Sequence, residues 1–267
     1  MTIGADMDGE PTGGGPTADP ANEAAPTDGV AVSDGAAVAN ERAPEGDRSF
    51  GAISDRLDMS LREAMSTQRA VRKVLPDEVD DEVVLACIEL ALRAPTGSNG
   101  QNWEFVVVRD AATKAAFARQ YRKAWKLYGG VGERIAARNP SMAKIMRAVR
   151  WQVDHFEEIP VVVVPCLVGA NRFAPLSLAQ SSHYGSIYPS VQNLLLAARA
   201  MGLGASLITL PLWNPRRARR LLGLPFGVQP ICMVPLGWPR GRYGPTTRKP
   251  VGEVVHLDRF GNRRWKA

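Results

Sequence analysis

The chain has 267 residues, of which 45% are hydrophobic and 22% charged, and its formal net charge is +6. This length and composition exclude a fibrous or wholly disordered protein and suffice for a core that needs no disulfides or metal ions. Apolar runs such as 161–164 are far shorter than the roughly 20 residues of a membrane-spanning helix, and the first residues do not resemble a secretion signal. We therefore expect a cytoplasmic protein that contacts no membrane.

Residues 1–50 differ in composition from the rest of the chain. They are rich in Ala, Gly, Pro, Asp and Glu and contain no aromatic residue before Phe50. Such a segment buries too little apolar surface to offset its ordering entropy, so we predict a disordered acidic tail followed by a folded domain at 51–267. The tail carries about ten acidic and two basic residues, which leaves a strongly basic folded domain. It either serves solubility or shields a basic site.

Hydrophobic periodicity and capping residues predict alternating helices and strands along the folded domain. Helices are expected at 57–67, 81–94, 111–127, 142–156, 189–201 and 214–222. Strands are expected at 103–108, 160–168, 205–210 and 231–236, with a short one at 254–257. This alternation indicates an α/β or α+β sandwich. The helix at 189–201 is apolar nearly all round, so it is buried either within one subunit or in a dimer core.

Familiar catalytic and nucleotide-binding motifs are missing from the sequence. It contains neither a GxGxxG turn after a strand nor a phosphate-binding P-loop, and no serine elbow or acid–base pair with informative spacing. The isolated cysteines Cys87, Cys166 and Cys232 lack metal-ligand or disulfide spacing, so we expect buried, reduced thiols and no metal site. A protein without catalytic side chains is typical of chemistry performed by a bound cofactor.

Three separated segments stand out as candidate binding elements for such a cofactor. Residues 68–73 place three cations after the first helix, which suits a phosphate group but also fits solvated charge. The loop at 94–103 carries Asn and Gln amides, whose donors and acceptors match the edge of a flavin ring, although a plain turn-forming loop has the same composition. Residues 248–249 form another basic pair after the strand at 231–236, and this pair is placed to close the phosphate site.

In this order the segments resemble the FMN-dependent nitroreductase family. The family has an Arg-rich opening motif, an Asn- and Gln-containing loop ending in Trp, a long helix ending in Gly-Leu-Gly and a closing Arg-Lys-Pro segment. The matching residues are 68–72, 94–103, 191–204 and 237–255. The resemblance implies an α+β fold, a three-layer α/β/α sandwich with a central, mostly antiparallel sheet, in an intertwined homodimer with FMN at the interface.

The resemblance also implies roles for individual residues. Phosphate binding is expected from Gln68, Arg69, Ala70, Arg72, Arg248 and Lys249. Contacts to the flavin ring are expected from Pro95, Thr96, Asn99 and Gln101, and from the backbone of Thr209 and Leu210 near flavin N5. The substrate is expected to contact Ser186, Tyr188 and Trp125, although Trp125 also suits a core. Gln68 and Ala70 depart from the family pattern of a basic and a hydroxyl residue, so phosphate binding is expected to depend on the arginines.

The implied activity is a ping-pong transfer of hydride from NAD(P)H, through FMN, to a small electron acceptor such as a nitroaromatic, a quinone or an enone. Two alternatives keep the fold and change the chemistry: a reductive dehalogenase or flavin-processing enzyme, and a flavin-binding protein without turnover. A third alternative is a nucleic-acid-binding protein, prompted by the four arginines within 216–220. No aromatic platform or reader motif accompanies these arginines, so we expect no nucleic-acid partner.

Overall fold

The structure is a computed structural model that describes Arg48, Gly51 and residues 55–136, 139–169 and 178–265. The predicted acidic tail lies outside the described residues except for Arg48. The Arg48 guanidinium pairs with Asp77 at 2.6 Å and lies 4.9 Å from the centre of the Trp238 ring. One residue assigned to the tail therefore contacts the folded domain.

The described residues form six α-helices and five strands. The helices are α1 (Leu61–Thr67), α2 (Asp81–Ala91), α3 (Ala111–Ala136), α4 (Pro140–Asp154), α5 (Leu178–Ala200) and α6 (Pro215–Leu221). The strands are β1 (Trp103–Val108), β2 (Val161–Val168), β3 (Gly204–Ala205), β4 (Val228–Pro230) and β5 (Val234–Gly237). Side-chain caps fix three helix starts, because Ser60, Asn139 and Asn214 each accept a hydrogen bond from a first-turn N–H group.

The strands form one antiparallel sheet in the order β1-β2-β5-β3, and β4 also pairs with β2. Trp103 lies opposite Leu167 at one end of the β1–β2 ladder, and Val108 lies opposite Val162 at the other. On the far side of β5, Gly204 lies opposite Gly237. All the named pairings are antiparallel. The predicted sheet is confirmed.

Alternate residues of β2 enter two different cores, as the period of two in a strand requires. Val161 and Val163 pack with α2 and the second half of α5 on one face of the sheet. Val162 and Val164 pack with α3, α4 and Phe156 on the other face. Helices therefore cover both faces, and the predicted three-layer α/β/α sandwich is confirmed.

Several element boundaries differ from the sequence prediction. Helix α5 begins at Leu178 rather than at residue 189, with Pro189 inside it, and α3 continues through three glycines to Ala136. The strand predicted at 205–210 is wrong beyond Ala205, because the chain turns into a 3-10 helix at Leu210–Leu212 after one isolated bridge at Ile208. The strand predicted at 254–257 is also wrong, since a 3-10 helix at Val251–Glu253 replaces it.

Two further expectations concern the core and the membrane. Cys87, Cys166 and Cys232 are buried free thiols, as predicted. Among the residues that the structure describes, no helix combines the length and the hydropathy needed to cross a membrane. Within the same residues, no group of three or more His, Cys, Asp or Glu side chains is arranged to hold a metal ion.

Candidate functional site

The basic segment at 68–73 is clamped at the edge of the sheet. The Val71 N–H donates to the Ala205 carbonyl oxygen at 2.9 Å, and the Lys73 carbonyl oxygen accepts from the Arg240 N–H at 3.0 Å. Gly204 permits this approach, because a Cβ atom at Gly204 would lie only 2.7 Å from Val71 Cγ1. The backbone that carries the predicted phosphate ligands is thus fixed by β3 on one side and by the residues after β5 on the other.

The C-terminal segment runs beside the end of α1. The N–H and the hydroxyl of Thr246 both donate to the Ser66 carbonyl oxygen, at 2.9 and 3.1 Å. Arg248 and Lys249 follow Thr246 by two and three residues, as Gln68 and Arg69 follow Ser66. The chain segments that lead to the two basic clusters are therefore in contact, and convergence of the clusters on one phosphate stays a prediction.

Arg72 is the partly buried cation of this region. It forms no ion pair with any residue that the structure describes, and burial lowers the pKa of its guanidinium, while the neighbouring Tyr121 phenol acts in the opposite direction. Burial also raises the pKa of Tyr121 to about 12, so this phenol is neutral. A partly desolvated cation without a carboxylate is stabilised when an anion binds beside it. Arg69, Arg248 and Lys249, the other predicted cationic ligands, are exposed.

The loop at 95–102 has an unusual backbone. Ser98, Asn99 and Gln101 have φ angles of 53°, 51° and 47°, in the left-handed region that residues other than glycine seldom adopt. Each such residue stores about 1–3 kcal/mol, with the lower end for asparagine. The loop is held in this shape partly by Thr96, whose hydroxyl accepts from the Gln101 N–H at 3.3 Å. Strain of this kind clusters at ligand-binding sites.

The loop amides leave hydrogen-bonding groups open to a ligand. Gln101 Nε2 donates to Asn99 Oδ1 at 3.3 Å, which partly agrees with the alternative of a self-satisfied turn. Asn99 Nδ2 and Gln101 Oε1 have no partner within the described part of the chain, and both residues are exposed. The loop therefore presents one free donor and one free acceptor next to exposed Pro95.

The same loop lies against the first half of α5. The Ser186 hydroxyl accepts from the Gly97 N–H at 3.1 Å, and a Cβ atom at Gly97 would meet Ser182 Oγ at 2.5 Å. Two residues further along the helix, the exposed Tyr188 ring stacks on Tyr184 with the ring centres 6.0 Å apart. Of the predicted substrate residues, Ser186 thus contacts the predicted flavin loop, and Tyr188 lies on the same helix.

Three other predicted residues lie elsewhere. Thr209 is exposed and Leu210 is half-buried. Both lie at the start of the 3-10 helix that follows β3, whose Ala205 accepts a hydrogen bond from the basic segment. Trp125 is buried in the core with Tyr121, which agrees with the core alternative rather than with a substrate contact.

The predicted residues fall into two groups within one protomer. The phosphate group lies at the sheet edge formed by β3, and the loop group lies against α5. Within the described residues, no hydrogen bond, ion pair or ring contact joins the two groups. The two groups thus lie on different elements, and no described side chain bridges them.

Sequence reasoning missed residues that position the site. Arg240 Nε donates to the Val74 carbonyl oxygen at 3.0 Å and its guanidinium lies 5.3 Å from the centre of the Trp151 ring, so it helps to fix the end of the basic segment. Arg199 donates to Thr67 Oγ1 at 2.8 Å and lies over the Tyr243 ring, which ties α1 to α5. Neither arginine stands in a recognisable motif, so the sequence offers no signal for these roles.

Comparison with known proteins is consistent with this geometry. An NADH dehydrogenase of Thermus thermophilus is 29% identical over 209 residues, covering 74% of this chain and 95% of the relative. An iodotyrosine deiodinase of Thermotoga neapolitana is 25% identical over 195 residues, covering 73% and 95%. The crystal structure of oxidized iodotyrosine deiodinase bound to FMN and 3-iodo-L-tyrosine superposes with a TM-score of 0.57 at 24% identity, covering 75% of this chain and 99% of that one.

A BluB-like flavoprotein from Clostridium difficile 630 has the same fold, with a TM-score of 0.56 at 21% identity and coverage of 75% and 100%. The model of the nitroreductase family matches residues 65–238, which include the basic segment, the amide loop and all five strands. This match spans well over half of the chain. The chain therefore belongs to the nitroreductase family.

Proposed function

We propose that the protein is an FMN-dependent oxidoreductase that accepts hydride from NAD(P)H and reduces a small electron-poor acceptor. The observation that carries the proposal is Arg72, a half-buried cation without a described carboxylate partner, in a segment that the C-terminal basic pair approaches. The dehydrogenase and deiodinase names of the relatives support a redox activity.

The residues present suit FMN. Arg69, Arg72 and Arg248 would hold its phosphate, since guanidinium groups bind phosphate oxygens in a forked geometry, and Lys249 would add charge. Asn99 Nδ2 and Gln101 Oε1 would bind the ring edge, and the strained backbone holds both in place before the ligand arrives. Bound FMN supplies the hydride chemistry, whereas the protein supplies position and electrostatics.

The proposal includes a homodimer with FMN at its interface, as the family resemblance implies. Exposed apolar residues support it: Leu61 and Met65 on α1 are 66% and 58% exposed, and Leu85, Leu90 and Leu92 are exposed on or just after α2. Apolar residues concentrated on two helices are typical of an association surface. We also propose a cytoplasmic location, where three buried thiols remain reduced.

The acceptor is proposed to be flat and electron-poor. The stacked pair of Tyr184 and Tyr188 lies on α5, the helix whose Ser186 contacts the amide loop, and aromatic rings bind flat substrates by offset or edge contacts. Reductive dehalogenation is the second candidate, because two of the relatives are iodotyrosine deiodinases. Turnover with a nitroaromatic, a quinone and 3-iodotyrosine under the same conditions separates the two candidates.

The test begins with the visible spectrum of the purified protein, before and after anaerobic addition of NADH or NADPH. We expect a flavin spectrum that is bleached by at least one of the two donors. A flavin that neither donor bleaches would instead support a flavin-binding protein without turnover. Arg72→Glu and Arg248→Glu should each retain much less flavin, whereas Arg259→Glu, at an exposed position outside the site, should retain it all. Normal flavin content in both site variants would refute the proposed site.

A further inference from the structure

A second cleft lies between α3 and the start of α6, on side chains that the proposed flavin site does not use. Its volume is about 410 Å³. We call it the basic cleft and define it by Arg119, Gln120, Lys123, Lys126, Trp213 and Arg217. The cleft combines cations that have no acidic partner among the described residues, one buried amide and one exposed aromatic ring. Each of these three features indicates one chemical group of the same ligand.

The cations of the basic cleft have no acidic partners in the described structure. Arg119, Lys123 and Lys126 follow one another along one face of α3, and Arg217 faces them from α6. None of the four forms an ion pair with a described residue, whereas a fifth lining cation, Arg122, pairs with Glu157 at 3.0 Å. Like charges at this spacing destabilise a helix, and a bound anion removes that repulsion.

Gln120 is the second and independent indication of a ligand. Its side chain lines the cleft and is only 2% exposed, yet neither Nε2 nor Oε1 has a hydrogen-bond partner among the described residues. A buried amide without partners is costly, so a ligand that offers one acceptor and one donor is stabilised here. Beside it, Trp213 is 40% exposed and offers the face of its ring to a flat group.

We propose that the basic cleft binds an adenine nucleotide. The lysines and arginines would hold its phosphates, and Trp213 would stack on its base. The Gln120 amide matches adenine, which presents a donor at N6 next to an acceptor at N7. Guanine presents two acceptors at the same edge and leaves the Gln120 carbonyl oxygen without a donor.

Two sources supply this chemistry: a free nucleotide such as ADP, and the adenosine half of a nicotinamide dinucleotide. Trp213 directly follows the 3-10 helix at Leu210–Leu212, and this helix follows Thr209, a predicted flavin contact. One lining residue of the basic cleft, Trp213, thus follows a predicted flavin contact by four residues. Assignment to the dinucleotide rests on the proposed function, whereas nucleotide binding itself does not.

The experiment is calorimetric titration of the full-length, purified protein with ADP, GDP and inorganic phosphate. ADP should bind, with GDP at least ten-fold weaker and phosphate weaker still. Lys123→Glu and Gln120→Leu should each weaken ADP binding at least ten-fold, and Arg217→Gln several-fold. Arg216→Gln, next to Arg217 but outside the cleft, and Lys144→Glu on α4 are the controls, which should bind ADP like the wild type.

The outcomes separate the nucleotide site from the flavin site. Absence of ADP binding, equal affinity for ADP and phosphate, equal affinity for ADP and GDP, or unchanged binding in folded Gln120→Leu would each overturn the proposal. If Lys123→Glu raises the KM for NADH or NADPH without loss of flavin, the cleft holds the donor. If ADP binding is lost while both KM values stay constant, the cleft serves a free nucleotide. Preparations that lack flavin still test ADP binding, so failure of the proposed function is recognised separately.

Discussion

The substitution Gly204→Ala tests whether the close contact between β3 and the basic segment builds the proposed site. The new Cβ atom would lie 2.7 Å from Val71 Cγ1, 3.2 Å from Val71 Cβ and 3.1 Å from Val74 Cγ1. Val71 cannot turn away, because its branched Cβ is itself too close and its N–H is bonded to the Ala205 carbonyl oxygen at 2.9 Å. The segment must therefore move off the strand.

The expected cost follows from overpacking of a close contact, which is typically about 1–3 kcal/mol. Gly130→Ala is the matched control, because Gly130 lies in α3 with no atom within 4 Å of an added Cβ. Alanine is favoured over glycine inside a helix by about 0.8–1 kcal/mol, so this control should be more stable than the wild type. The two variants should thus differ by about 2–4 kcal/mol in the free energy of unfolding.

The assay is denaturant unfolding at equal protomer concentration, together with the ratio of visible to ultraviolet absorbance as a measure of bound flavin. Gly204→Ala should lose both stability and flavin, because Val71 lies between Arg69 and Arg72. Gly130→Ala should keep its flavin. A Gly204→Ala protein with wild-type stability and wild-type flavin content would refute the argument that this contact holds the site together.

Three other predictions follow from capping, burial and chain organisation. Asn214→Ala should cost about 1 kcal/mol of unfolding free energy, measured by the denaturant midpoint, since this side chain caps α6. Burial raises the pKa of Cys87, Cys166 and Cys232 from 9.0 to about 12, so iodoacetamide should label them only after unfolding, and the free energy of unfolding should fall as the pH rises above 9.0. Labelling of the native protein would contradict this. Deletion of 1–47 should leave flavin content unchanged, and flavin loss on truncation would show that the acidic tail contributes to the site.

The sequence predicts best those helices and strands whose ends are set by residues next to them in the chain. The strand at 103–108 is predicted to the residue, because apolar residues run there between a polar loop and Arg109-Asp110. Asn214 predicts the start of α6, because a capping side chain binds a backbone N–H group in the turn that directly follows it. The three-layer arrangement was accessible only through the family resemblance, since the order of strands in a sheet leaves no local trace.

Elements that depend on tertiary contacts are predicted less well. Pro189 suggests a helix start, because proline is favoured in the first turn, yet α5 continues through it. Fully buried Ile187 and Val191 flank the proline, and their packing outweighs the lost backbone hydrogen bond. β3 likewise ends at Ala205, and the next residue, the buried Ser206, has a tertiary contact that the sequence does not reveal: its hydroxyl accepts from Gln152 Nε2 at 2.9 Å.

In the candidate site too, some features are visible from residue types and others depend on tertiary contacts. Sequence alone identifies the amide loop and both basic segments, because their residue types are visible. It cannot show that Gly97 must approach Ser182, nor that the phosphate and loop groups occupy separate parts of one protomer. Gly204 appears in the sequence as a helix-ending residue, and only the structure reveals its contact with Val71.

The two hydrogen bonds from Thr246 to Ser66 have a consequence for biosynthesis. They join positions separated by 180 residues, so the basic region cannot close while the C-terminal part of the chain is still inside the ribosome. Binding of the proposed phosphate-bearing cofactor at this region then requires that Thr246 has left the ribosome, long after the helices near Ser66 have been synthesised. A ribosome-stalled chain that stops before Thr246 would contain the basic segment at 68–73 but lack the C-terminal basic pair.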